Sequence, residues 1–188
     1  MVKNDALALV LSLGIAFPLS AAAADTLVKF SGGIGVHPVS NVSGTATNPP
    51  TNSIFPEVTR NIVRGVNPPG QIWVIDNLKA NVKVDGSIRV DGRGLLLAGG
   101  NNIGLNAGAS VFATLSCAVP PALTTFTLHS TDSVTGVPLA ANGDFRINDV
   151  LDTAPPAPCI NPVLLIRNKN GQTWFAAGIQ DLETDNDD

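Results

Sequence analysis

Apolar residues gather along the chain in short runs rich in Val, Ile, Phe, Leu and Thr, separated by clusters of Gly, Pro, Asn and Asp. No stretch keeps the i, i+3, i+4, i+7 spacing of an amphipathic helix for three turns, so the pattern predicts an all-β chain. The expected strands are Thr26 to Phe30, Val58 to Val63, Gln71 to Ile75, Leu78 to Val84, Ser87 to Leu97, Ala109 to Cys117, Leu123 to Ser130, Val137 to Ala141, Asp144 to Asn148, Pro162 to Asn168 and Thr173 to Ile179. Proline-rich breaks at Pro49-Pro50, Pro68-Pro69, Pro120-Pro121 and Pro155-Pro156 to Pro158 punctuate them.

Hydrophobic matching sets the expected register of two hairpins, because a turn must bring apolar residues onto one face of both strands. A three-residue loop Asp85-Gly86-Ser87 pairs Val84 with Ile88 and Val82 with Val90, leaving Lys83 and Arg89 on the wet face. A loop Asn142-Gly143-Asp144 likewise pairs Ala141 with Phe145 and Leu139 with Ile147. Val163 to Ile166 and Trp174 to Ala177 are apolar at consecutive positions, as expected of central strands covered on both faces. Asn170-Gly171 is the turn between them. Many short strands at regular spacing fit an antiparallel β-sandwich or jelly roll, with a small β-barrel as the alternative.

The first 24 residues read as a secretory signal peptide: Lys3, an apolar run from Ala6 to Leu19, then Ser20-Ala21-Ala22-Ala23-Ala24, with cleavage expected after Ala24. That run is shorter than the roughly 20 residues needed to cross a bilayer, and no later run is longer, so no transmembrane segment is expected in the mature chain. Residues 25–180 form the expected single β domain. Asn41 to Ser53 reads as a long polar loop, and Asn41-Val42-Ser43 matches the N-glycosylation triplet.

An even cysteine count in an exported chain favours a disulfide, Cys117 to Cys159, over thiolate chemistry. Neither cysteine has a nearby His or basic cluster in sequence to lower its pKa.

The chain has 188 residues and a formal net charge of −4. Losing Lys3 and Asp5 with the leader leaves ten basic and fourteen acidic residues, so the mature charge is also −4. Five acids, Asp181, Glu183, Asp185, Asp187 and Asp188, sit in the last eight residues, an acidic tail expected to be frayed and disordered. The rest of the mature chain carries nine acids and ten bases, a balance with no field to steer it to nucleic acid or an anionic membrane.

Motifs that carry chemistry are incomplete. Gly32-Gly33-Ile34-Gly35 has the close glycines of a dinucleotide fingerprint, but Pro38 stands where the third glycine belongs. The glycines from Gly99 to Gly108 read as a wide turn, because Leu105 replaces the lysine of a phosphate loop. Asp85 and Asp91 recur in two Val-Asp-Gly triplets, yet their spacing matches no calcium loop. His129-Ser130-Thr131-Asp132 holds the residue types of acyl transfer, but neighbours on a strand point to opposite faces. Asp76, Asp132, Asp149 and Asp152 are the acids left for a carboxylate pair. Trp73 and Trp174, in strongly apolar strands, read as core rather than as sugar-stacking platforms. No catalytic, cofactor-binding or metal-ligating residue is therefore assigned, and no cofactor is expected.

Phe30 to Val36, Gly94 to Asn101 and Trp174 to Ile179 resemble stretches of small exported bacterial proteins with no assigned activity. The resemblance implies export and a shared β fold and supplies no functional residue. The expected function is that of a secreted, periplasmic or extracellular, non-enzymatic β-sandwich protein that acts through its surface as a binding or structural component of the envelope or extracellular space, with homo-oligomers open to it. Two alternatives are a secreted hydrolase whose acids and His129 converge only in three dimensions, and a subunit that assembles by strand addition at an edge near Thr26 to Phe30.

Overall fold

Residues 24–43 and 57–182 are described by a computed structural model, and among them the chain forms thirteen β-strands and no helix. The strands are β1 (Thr26–Gly35), β2 (Val39–Ser43), β3 (Glu57–Arg60), β4 (Trp73–Val74), β5 (Asn77–Lys83), β6 (Ser87–Arg93), β7 (Leu96–Leu97), β8 (Ser110–Ala118), β9 (Phe126–Ser130), β10 (Val137–Pro138), β11 (Phe145–Val150), β12 (Ile160–Asn168) and β13 (Trp174–Gln180). Nine of them make one antiparallel sheet in the order β10-β8-β12-β13-β1-β5-β6-β11, with β9 also paired to β8; β2–β3 and β4–β7 are separate two-stranded sheets. The expected leader up to Ala23, the polar stretch from Gly44 and the acidic tail from Glu183 lie outside the described residues.

The large sheet curls until its two ends meet. β12 takes one edge of β8, and β9 and β10 share the other end to end, through Thr114–Ala118 and Ser110–Val111 respectively. Just beyond β11, at the opposite end of the sheet, Asp152 N–H donates to Ser130 C=O at 2.7 Å. This contact gives the curled antiparallel sheet a barrel-like closure, and with the two small sheets the architecture falls within the expected all-β forms, sandwich or barrel. Alternation then points one set of side chains inward. Val82, Ile88, Val90, Val111, Leu115, Ile147, Leu164 and Ile166 are almost fully buried and belong to one hydrophobic cluster.

β12 and β13 are adjacent and central, as their continuous apolar runs predict. Leu164, Leu165, Ile166, Trp174, Phe175 and Ala176 are all buried, so both faces of these strands are covered. The segment after β3 contributes to that cover: Trp174 Nε1 donates to Asn61 C=O at 2.9 Å, and Val66 joins the cluster. Cys117 and Cys159 form a disulfide that clips the end of β8 to the start of β12, with Cα atoms 5.1 Å apart.

Both predicted hairpin registers are off by one residue per strand. Val82 pairs with Ile88 and Ala80 with Val90, and the three-residue loop is Val84-Asp85-Gly86. Ala140 N–H donates to Asp144 C=O, so the second loop is Ala141-Asn142-Gly143. The reason is common to both. A three-residue hairpin loop ends on a left-handed residue, and Gly86 (φ 85°) and Gly143 (φ 81°) take that place. The shift preserves parity, so the inward faces are as expected. Beyond the second turn, however, Val137–Pro138 pairs with β8 and β11 pairs with β6, so the expected Leu139–Ile147 ladder does not form.

Three further differences have local causes. Asp91-Gly92, which as a Val-Asp-Gly triplet reads as an end or bulge of the strand, instead continues the β6 ladder; a Cβ on Gly92 would lie 2.1 Å from the Phe145 ring, so the glycine makes room for the aromatic on the next strand. The expected strand from Ser87 to Leu97 breaks at Gly94 (φ 65°) into β6 and β7. Asn41 to Ser43, read as loop, belongs to β2 and pairs with β3.

Candidate functional site

His129, Ser130, Asp132, Asp149 and Asp152 are brought together at the seam where the sheet closes, and their polar atoms are occupied there; Asp76 lies elsewhere, between β4 and β5, where its N–H donates to Arg93 C=O at 2.9 Å. His129 faces inward opposite Leu115 and is 7% exposed, whereas Ser130 lies on the other face, its Oγ 2.9 Å from Thr114 Oγ1. His129 Nδ1 sits 2.9 Å from Thr153 Oγ1 and 3.2 Å from its carbonyl, and Nε2 sits 3.0 Å from Thr127 Oγ1. Both ring nitrogens thus meet threonine oxygens, and the His129–Ser130 pair points to opposite faces as strand alternation requires.

The aspartates close the same seam. Asp152 Oδ1 accepts Ser130 N–H at 3.1 Å, and Asp149 Oδ2 accepts Asp132 N–H at 3.1 Å. Asp132 Oδ1 in turn accepts the N–H groups of Val134 and Thr135 at 2.9 Å each. Hydrogen bonds from Thr135, then Val134, hold the Asp132 carboxyl below its ordinary pKa, because they favour the ionised form. That is opposite to the raised pKa of a general acid.

The Val-Asp-Gly aspartates have separate structural partners. Asp85 accepts the Ser87 N–H at 2.9 Å and also its hydroxyl, and these bonds lower its pKa. Asp91 stands outward on β6 between two cations, 2.6 Å from Arg146 Nε and 3.6 Å from Arg89 Nε. Among the described residues no group of three His, Cys, Asp or Glu side chains is placed to hold a metal ion. Gly33 and Gly35 lie within β1, where a Cβ on Gly35 would fall 2.1 Å from the Trp73 carbonyl; close packing of β4 accounts for this glycine.

One end of the barrel carries a cleft that sequence reasoning did not single out. Three loops border it: the segment before β4, with Gly70 and Gln71; the glycine-rich turn between β7 and β8, with Ala107 and Gly108; and the β12–β13 turn, with Asn168 and Asn170. Its volume is about 360 Å³, within the usual range for ligand sites. Trp73 and Phe175 also line it and stack on each other, ring centroids 3.9 Å apart and planes 14° from parallel. Both are buried, Trp73 to 4% exposure, so the tryptophan has the core role the sequence predicts while reaching the cleft. No charged side chain lines the cleft.

No protein family matches the chain, and no curated protein or solved structure is significantly similar to it.

Proposed function

We propose that the mature chain is an exported, non-enzymatic β-protein that works through its surface as an envelope-associated or extracellular binding component. The observation that carries this reading is the occupancy of the seam: both nitrogens of His129 and the carboxylates of Asp132, Asp149 and Asp152 bind neighbouring polar groups. Both ring nitrogens of the buried His129 bind threonine oxygens and neither reaches Ser130, whose hydroxyl lies on the other face of β9 beside Thr114. The disulfide supports export, since such bonds persist in oxidising compartments such as the periplasm or the cell exterior. Assembly through the first strand has less support, because β1 is paired on both edges, with β13 and β5.

Two measurements test the reading together. Protein recovered from the periplasm or medium is expected to begin at Asp25 and to show no turnover on ester, glycoside or peptide substrates. Retention of the leader in the cytoplasm overturns export; turnover abolished by His129→Ala overturns the non-enzymatic reading.

A further inference from the structure

We infer that the chain carries a site of covalent self-modification at Asn170, where the backbone nitrogen of Gly171 displaces the side-chain amide. The inference goes beyond the binding role proposed above and stands independently of it.

Asparagine followed by glycine is the pair in which this reaction is least hindered, because glycine puts no side chain beside the attacking nitrogen. The deprotonated glycine nitrogen attacks the asparagine Cγ, the Cγ–Nδ2 bond breaks, and Nδ2 leaves as ammonia. Water then opens the cyclic imide at either carbonyl, giving aspartate or, with the main chain rerouted through the side chain, isoaspartate. Each product carries a carboxylate where a neutral amide stood. The attack is intramolecular, so its rate follows how readily the two groups meet in a reactive geometry.

The sequence holds two such pairs, Asn142-Gly143 and Asn170-Gly171. The fold locks the first. Gly143 is buried, its N–H donates to Ala140 C=O at 2.8 Å, and its C=O accepts Leu95 N–H at 3.0 Å. Asn142 Nδ2 donates to Asp144 Oδ2 at 2.9 Å, while Asn142 Oδ1 accepts Asp144 N–H at 3.2 Å. The carboxamide is thus tied to Asp144, and the nitrogen that would attack it is engaged by Ala140.

The second pair is open. Asn170 and Gly171 are both exposed in the turn between β12 and β13. Neighbouring residues hold that turn: Gln172 N–H donates to Asn168 C=O at 2.8 Å, Asn168 N–H to Thr173 C=O at 2.8 Å, and Gln172 Nε2 to Lys169 C=O at 2.7 Å. Asn170 gives its own N–H to Asn168 Oδ1 at 3.3 Å, but among the described residues no hydrogen bond holds its carboxamide or the Gly171 N–H. An exposed turn with few buried contacts opens locally at low free energy, which lets the carboxamide swing onto the nitrogen. Conversion places a carboxylate at the border of a cleft that no charged side chain lines.

The test follows both pairs by peptide mass in the mature protein held at mildly alkaline pH, folded and in urea. In the folded protein Asn170 is expected to convert at least about tenfold faster than Asn142, equivalent to roughly 1.4 kcal/mol in barrier height. In urea the two rates are expected to converge. A Cβ on Gly171 would meet nothing closer than 3.6 Å, so Gly171→Ala is expected to keep the melting temperature while slowing conversion of Asn170. Absence of conversion at Asn170 overturns the inference, as does conversion of Asn142 at an equal or greater rate in the folded protein. The same rate ratio in urea as in the folded state also overturns it, because sequence neighbours rather than the two turns would then set the order. Conversion that Gly171→Ala leaves unchanged overturns the attack by the Gly171 nitrogen in favour of direct hydrolysis.

Discussion

Ser130 and Asp152 exchange two hydrogen bonds across the seam of the barrel. Asp152 N–H donates to Ser130 C=O at 2.7 Å, and Ser130 N–H donates to Asp152 Oδ1 at 3.1 Å. One residue ends β9 and the other follows β11, so this reciprocal pair joins strands at opposite ends of the sheet order. Asp152→Ala removes the side-chain half and is expected to lower stability by about 1 to 2 kcal/mol, because exposure discounts the roughly 1.5 to 3 kcal/mol typical of a hydrogen bond to a charged group. Asp152→Asn keeps an oxygen acceptor and is expected to lose less. Urea midpoints of the three proteins give the order.

The two hairpin glycines share a conformation and differ in their surroundings. A Cβ on Gly86 would meet nothing closer than 3.6 Å, so Gly86→Ala is expected to cost about 1 to 2 kcal/mol for the left-handed backbone alone. At Gly143 the same atom would lie 2.5 Å from Leu95 N, and Gly143→Ala is expected to cost about 1 to 3 kcal/mol more. Equal losses in denaturant unfolding would contradict the tight approach of Leu95.

These glycines also mark where the sequence was legible and where it was not. Hydrophobic parity identified the inward faces of β5 and β6, because a two-residue repeat survives a shift of one residue on each strand. The shift itself escaped, since it is set by which loop residue adopts positive φ, and Asp85-Gly86-Ser87 and Val84-Asp85-Gly86 differ only in that. β12 and β13 were readable as central from unbroken apolar runs, whereas β2 was hidden in a polar stretch that alternates weakly. The seam and the cleft join residues far apart in the chain. Their local signals, Pro68-Pro69-Gly70 and Asn170-Gly171, reveal turns but not that the turns converge.

The disulfide joins residues 42 positions apart. In the chain-entropy account, closing such a loop contributes about 4 kcal/mol by restricting the unfolded chain. Replacing both cysteines with alanine is expected to lower the free energy of unfolding by that order. A loss below about 1 kcal/mol would indicate that the bridge adds little to contacts already made between β8 and β12.

Acid should weaken the Asp132 turn. Its carboxyl titrates below the ordinary value because Thr135 and Val134 donate to the ionised form. A depressed native pKa gives stability that is fully present above the unfolded value of about 3.9 and is lost as pH falls through the native value. Asp132→Ala is therefore expected to melt below wild type at neutral pH, and the gap should narrow once the wild-type carboxyl is protonated. A gap independent of pH assigns the loss to packing instead.

The central claim is that the polar groups resembling catalytic equipment serve to close the barrel. Amide hydrogen exchange at Ser130, Asp132 and Asp152, whose N–H groups cross the seam, tests it most directly. The account predicts exchange protection approaching that of the interior strand β8. Exchange at the rate of unstructured peptide would mean an open seam, with His129 and its neighbouring aspartates free for chemistry, and would contradict the account.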